Sequence, residues 1–204
     1  MQNKQITIRK VLRLSVGVQL MAFGTSLAQL TGLGIDPFNA FCTGVASLLN
    51  WPLGTFILLA QCSIALLVCY VHKAYLGIGS LIPMLCFGYL LQLCNQIMTG
   101  ISIPAFPFVI HILLFLIAMI IIATGMFCYM GCQLGMVPYD ALAFLLEKLI
   151  DKNAYTLRVI LDVIVILFAL LVHGPIQLGT LLLAFGIGPL LQILHQIKCM
   201  RSSY

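Results

Sequence analysis

The sequence predicts an all-helical, polytopic membrane protein with six transmembrane helices. We expect two inverted three-helix repeats, each with a short re-entrant or broken helix. The 204 residues are 62% hydrophobic and 7% charged, with mean hydropathy +1.15, whereas a soluble domain has about 25% charged residues. Six apolar runs are long enough to cross a bilayer core, which takes about 20 residues. The two halves of the chain also match each other at ordered positions.

Two shorter apolar segments lie between the six predicted spans, one after the first span and one after the fourth. The spans are 13–31, 53–72, 77–99, 106–130, 154–172 and 178–197. The short segments are 37–50 and 138–150, and each begins with a proline. Because a helix of that length covers only about 20 Å, neither segment is expected to cross the membrane. The basic N-terminal stretch is expected to precede a permanent anchor, since no clear cleavage site follows it.

The positive charges predict that both termini are cytoplasmic. With six spans, all ten Lys and Arg residues fall on one side of the membrane, and the opposite loops, 32–52, 100–105 and 173–177, contain none. Lys and Arg are enriched in cytoplasmic loops. If the short segments also spanned, giving eight crossings, Lys73 would move to the opposite side.

Matched residues relate the two halves, which we divide at 1–100 and 101–204. The offset is 101 and becomes 100 after about residue 77. The matches include Gly24 with Gly125, Gly34 with Gly135, Pro37 with Pro138, Asn39 with Asp140, His72 with His173, and Gln92 with Gln192. Since each half holds three spans, the second half enters the membrane from the opposite side. Secondary transporters often have this architecture, with the binding site at broken helices near the midplane.

The starts of the two short helices are the predicted substrate site. Asp36 is a candidate N-cap, and Pro37 and Pro138 suit the first helical position. Asn39 and Asp140 take the third position, from which a side chain can reach back to the cap. Helix N-termini attract carboxylates and phosphates. These five residues therefore either contact a substrate or only cap re-entrant helices.

A second candidate group lies in the fifth span. Asp162 is about 10–12 Å along that helix, and Arg158 lies one turn earlier on the same face. A carboxylate inside a membrane is commonly functional, so Asp162 is a candidate for proton coupling. The alternative is a buried structural ion pair. Gln61 and Ile57 occupy the matching positions in the first half, so the two halves differ chemically.

No sequence pattern indicates an enzyme, a metal site or a cofactor. The eight cysteines lie mostly in apolar runs. Cys128 and Cys132 are one turn apart, but no His or carboxylate pattern completes a metal site, which favours helix packing. No nucleotide-binding loop or catalytic set is found. The ten basic residues are too scattered to predict nucleic-acid binding.

Two motifs resemble a known family. They are Gly-Leu-Gly-x-x-Pro-x-Asn/Asp, which occurs at the start of each short segment with variations, and the closing run 178–192. Both resemble the YczE/YyaS/YitT family of bacterial integral membrane proteins, over nearly the whole chain. The resemblance implies a location in the bacterial cytoplasmic membrane. Some relatives are linked to making or exporting secondary metabolites. Asn39 stands where this family often has an acid.

The combined patterns predict a secondary transporter of a small organic solute or anion, bound between the two short helices. The alternative is a non-transporting scaffold or accessory protein that supports secondary-metabolite biosynthesis or another membrane protein. An intramembrane enzyme has no catalytic set in its favour. The expected partners are the lipid bilayer and an unidentified small molecule. A single chain of this length is short for enclosing a complete transport pathway. A homodimer is therefore an alternative to a monomer.

Overall fold

The computed structural model describes residues 7–72, 76–98, 107–150 and 154–201. In these ranges the chain forms eight helices and no strand. They are α1 (Ile8–Leu30), α2 (Pro37–Leu49), α3 (Leu53–His72), α4 (Ile78–Met98), α5 (Phe108–Met130), α6 (Pro138–Ile150), α7 (Ala154–Leu171) and α8 (Leu178–Arg201). The predicted junction at 100 and 101, the loop 100–105, and Lys4, Lys73 and Lys152 lie outside the described residues.

The helices follow the predicted segments closely. The main difference is that α1 begins at Ile8, so Arg9 and Lys10 are part of the helix rather than ahead of it. Within the described ranges, α1, α3, α4 and α5 are long and apolar enough to cross a membrane. Large apolar side chains such as Leu66 face outward on these helices. Such a surface suits lipid, and the chain is a helical membrane protein.

The first long helix, α1, packs closely against α5. A Cβ atom on Gly17 would lie 2.7 Å from the carbonyl oxygen of Gly125, and one on Gly24 would lie 3.1 Å from that of Ala118. Small residues let two membrane helices approach backbone to backbone. Since residue numbers rise along α1 while they fall along α5, the two helices run antiparallel.

The linkers that precede α2 and α6 are tied to the first turns of two other helices. The carbonyl of Leu33 accepts a hydrogen bond from the N–H of Gly179 at 2.8 Å, at the start of α8. The carbonyl of Leu134 accepts one from the N–H of Gly79 at 3.1 Å, at the start of α4. Each linker therefore has one backbone carbonyl satisfied by the first turn of another helix.

A glycine follows each of these two carbonyls and lets the linker lie close to the first turn of the other helix. Gly34 has φ +106° and Gly135 has φ +142°, which are conformations that side chains disfavour. A Cβ on Gly34 would collide with the hydroxyl of Thr180, and one on Gly135 with that of Ser80. Glycine is therefore required at both positions.

The short helices α2 and α6 lie inside the bundle. Both pack against α3 and α7. Their first turns meet at the centre, where the rings of Phe38 and Tyr139 stack with centroids 4.8 Å apart. The last turn of α2, from Ser47 to Leu49, is exposed. The two helices thus enter the interior without crossing it, and they bring their N-terminal polar residues together.

Candidate functional site

A polar cluster forms where the first turns of α2 and α6 face α7. All seven residues that the sequence singles out lie in or beside it, and Phe38, Gln61 and Tyr139 join them. The seven are Asp36, Pro37, Asn39, Pro138, Asp140, Arg158 and Asp162. Most are buried, in a protein whose interior is otherwise largely apolar.

The start of α2 has the predicted cap. Oδ2 of Asp36 accepts a hydrogen bond from the backbone N–H of Asn39 at 3.1 Å. Oδ1 of Asp36 accepts a second from the side-chain amide of Asn39 at 2.8 Å. Pro37 is the first helical residue, where its missing N–H costs nothing. Asp36 and Asn39 are therefore held rigidly, and both line the cavity described below.

The start of α6 differs from the prediction. Pro138 begins this helix and Asp140 lies in its first turn. The expectation that Asp140 reaches back to a cap is wrong, because Oδ1 of Asp140 instead accepts a hydrogen bond from Nη1 of Arg158. The residue before Pro138 is Val137, which has no capping side chain, and its N–H donates to the hydroxyl of Tyr129. The carboxylate of Asp140 is thus free to pair with α7.

Arg158 joins α6 to α7 through two carboxylates. Its Nε lies 3.6 Å from Oδ2 of Asp162, one turn along α7, as predicted. Its Nη1 pairs with Asp140. Both carboxylates are buried, with exposed side-chain fractions of 6% and 8%, whereas that of Arg158 is 32%. Buried charges are tolerated only when they are paired and hydrogen-bonded.

Tyr139 completes this network and was missed by sequence reasoning. Its hydroxyl donates to Oδ1 of Asp162 at 2.6 Å. The guanidinium of Arg158 lies over its ring, 5.2 Å from the centroid, and Phe38 stacks on the ring as well. One sequence signal is its place between Pro138 and Asp140. The aromatic match with Phe38 at the repeat offset could have drawn attention to it.

Two buried side-chain oxygens near the cluster have no hydrogen-bond partner. They are Oδ1 of Asn39 and Oε1 of Gln61, and both residues are only 5% exposed. Buried polar atoms are normally paired. The side-chain N–H of Asn39 donates to Asp36, which identifies the other amide atom as the oxygen. With the amide flipped, this oxygen would face the carboxylate of Asp36, and two acceptors would meet.

Two neighbouring cavities, called here the smaller and the larger lobe, adjoin the cluster. The smaller lobe, of about 90 Å³, reaches Asn39 and Gln61. The larger lobe, of about 390 Å³, reaches Asp162 and apolar side chains of α6 and α8. Both lobes are lined by Asp36, Met126, Tyr139, Asp140, Arg158 and Ile187. Apolar walls with a few convergent polar groups are typical of small-molecule sites.

Comparison with known proteins confirms the resemblance to YyaS and YczE. A family described as "Family of unknown function (DUF6198)" matches residues 8–196. An "Uncharacterized protein" of Haemophilus influenzae is 27% identical over 196 residues, which are 96% of this chain and 85% of the relative. "Uncharacterized protein YyaS" of Bacillus subtilis is 26% identical, covering 92% of this chain and 93% of its own. "Uncharacterized membrane protein YczE" of B. subtilis is 26% identical, with 86% and 80% covered. No solved structure matches the chain.

Proposed function

We propose that this chain, which belongs to the family of unknown function DUF6198, is a secondary transporter of a small organic solute. A single observation carries the proposal: a cavity with apolar walls and several convergent polar side chains lies in a helical membrane protein, where the first turns of two short helices meet. Polar and ionisable groups are costly within a membrane and usually serve a function there. We assign the protein no catalytic step.

The proposed architecture is an inverted repeat of residues 1–100 and 101–204, with α1, α3, α4, α5, α7 and α8 as the six spans. Two observations support it. The helices α1 and α5 hold matching places in the two halves, and they pack antiparallel. The hydrogen bonds from Gly179 to Leu33 and from Gly79 to Leu134 join residues that also match between the halves. Each short helix is thereby tied to the opposite half.

The proposed transport step is a rocking of one half against the other around the cavity. The first half contributes Asp36 and Asn39, and the second contributes Asp140, Arg158 and Asp162. A site shared between two repeats can open alternately to each side when the repeats move as bodies. The solute would contact Asp36, Asn39 and Asp140 in this mechanism.

Asp162 is the proposed proton carrier. Its carboxylate borders the larger lobe and is held by Arg158 and Tyr139. A change in its protonation would alter the contacts that hold α6 against α7, and would so link proton binding to movement of a short helix. Gln61 occupies the matching position in the first half and cannot titrate, so one proton per cycle is expected from this position.

We place the protein in the bacterial cytoplasmic membrane with both termini in the cytoplasm. The support is the distribution of basic residues, none of which falls in the loops assigned to the outer side. One relative is named as a membrane protein.

Binding followed by exchange tests the proposed function. Purified protein in neutral detergent is screened for thermal stabilisation with amino acids, organic acids, amines, nucleosides, phosphates and lipophilic antibiotics. A ligand at about 100 times its dissociation constant stabilises a fold by about 2.7 kcal/mol. Each hit is then tested for exchange across proteoliposomes. We expect exchange with the native protein and with Ser63→Ala, an exposed position on α3, and none with Asp140→Ala. Exchange that persists in a folded Asp140→Ala protein contradicts this site.

A further inference from the structure

The acidic residues of this chain are concentrated at the cavity. The sequence contains five Asp and Glu residues, and four of them, Asp36, Asp140, Glu147 and Asp162, line the larger lobe. Among the described residues that line it, Arg158 is the sole basic side chain. The three aspartates of the central cluster therefore face one guanidinium. The lining thus holds four acidic side chains and one basic side chain, an imbalance that protons or a bound cation can offset.

The helix N-termini that would otherwise attract an anion already face carboxylates of the chain itself. Asp36 accepts a hydrogen bond from the N–H of Asn39 at the start of α2. Asp140 lies in the first turn of α6. Each carboxylate offsets the partial positive charge of its own helix end. An anionic solute would gain little from these helix ends and would be repelled by the aspartates.

The unpaired buried oxygens at the smaller lobe can each accept a hydrogen bond from a ligand. Oδ1 of Asn39 and Oε1 of Gln61 are acceptors without a partner, and both residues line this lobe beside Asp36. An acceptor is satisfied by an N–H or O–H group. A protonated amine brings several N–H donors together with a positive charge, so it meets both requirements of this lobe.

The larger lobe suits an apolar body. Its volume of about 390 Å³ falls in the range of small-molecule sites, about 300–1,000 Å³. Phe144, Leu183 and Leu191 form part of its wall. Among the described residues, no three His, Cys, Asp or Glu side chains are grouped so as to hold a metal ion. The lining thus favours an organic cation over a bare metal ion.

We propose that the solute is a small organic cation, with its ammonium group between Asp36, Asn39 and Gln61 and its apolar body in the larger lobe. This inference rests on the proposed function and names the substrate class of the same site. The ammonium group donates to the two unpaired amide oxygens and offsets the charge of Asp36. Phe38 and Tyr139 also line the smaller lobe.

Three probes of equal length and different charge test the inference. Binding of hexylammonium, hexanol and hexanoate to the full-length protein in neutral detergent is measured by calorimetry. Phenylguanidinium, which also carries N–H donors, extends the cationic set. We expect at least one cation to bind and hexanoate not to bind. Asp36→Asn should weaken the cation by at least tenfold, and Ser63→Ala should leave it unchanged. Since Asn also caps helices well, Asp36→Asn removes the charge while the cap remains.

The outcomes separate this inference from the proposed function. Preferential binding of hexanoate or hexanol, equal cation affinity in a folded Asp36→Asn protein, or binding of none of the cations overturns the cationic substrate. If an anionic or neutral solute is exchanged and this exchange is lost in Asp140→Ala, the transporter proposal is supported and the proposal of a cationic substrate is refuted. If a cation binds in a way that depends on Asp36 but is not exchanged in proteoliposomes, the proposed cation site is supported and the transporter proposal is refuted.

Discussion

Replacing Tyr139 with Phe tests the network that joins the second short helix to α7. The substitution removes the hydroxyl that donates to Asp162 at 2.6 Å. It keeps the ring that stacks on Phe38 and lies under Arg158. Because the ring is retained, the change in the free energy of unfolding reports mainly on one charge-assisted hydrogen bond.

The expected loss of stability is about 1.5 kcal/mol. Hydrogen bonds to charged groups contribute about 1.5–3 kcal/mol, whereas hydrogen bonds between membrane helices average about 0.6 kcal/mol and reach about 1.7 kcal/mol. Asp162 is buried and keeps Arg158 as a partner, so the loss should fall at the lower end of the first range. For a chain of this size, about 1.5 kcal/mol lowers the Tm by about 3–6 °C.

Thermal unfolding in detergent measures this effect, and Tyr89→Phe is the matched control. Tyr89 lies on the outer face of α4 and is 48% exposed, so its Tm shift should stay below about 1 °C. The double variant Tyr139→Phe with Asp162→Asn should lose less stability than the sum of the two single variants, because both remove the same contact. Strict additivity, or a Tm shift for Tyr139→Phe equal to that of the control, refutes the reasoning.

Two further substitutions address the linker and the ion pair. Gly34→Ala should destabilise by about 1–3 kcal/mol, because φ is +106° and the added methyl meets Thr180. Gly32→Ala, at φ +71° with open space around it, should cost only about 1 kcal/mol. Equal shifts in Tm would contradict the close packing at Gly34. Arg158→Gln should cost up to about 3–5 kcal/mol, because it leaves two buried carboxylates without their cation. Adding Asp140→Asn should recover part of that loss, and a double variant less stable than Arg158→Gln would argue against the pairing.

Local features of the site could be predicted because their causes are local. The bond from Asn39 to Asp36 joins residues three apart around a proline, a spacing that the start of a helix imposes. The contact between Arg158 and Asp162 joins residues one turn apart on α7. In both cases, helix geometry alone brings the groups together.

The remaining contacts could not be predicted because they join different helices. Arg158 meets Asp140, and Tyr139 meets Asp162, only because α6 packs against α7. The predicted capping contact of Asp140 is wrong for this reason: its place in the helix resembles that of Asn39, but its carboxylate pairs with Arg158 of α7. Gln61 faces the smaller lobe from α3. The sequence matches it with Asp162 at the repeat offset, but that match does not show which residues of α2 and α6 it meets.

The sequence by itself determined where the helices lie, since apolar run lengths, prolines and glycines act over a few residues. It also determined that the chain is a membrane protein, because so few charges cannot cover a surface in water. Only the tertiary structure decided which carboxylates share Arg158 and that most of the acidic residues border one cavity. Packing between residues distant in the sequence, such as Gly17 and Gly125, determines which helices are neighbours. The spacing of residues along one helix does not indicate which helix it will pack against.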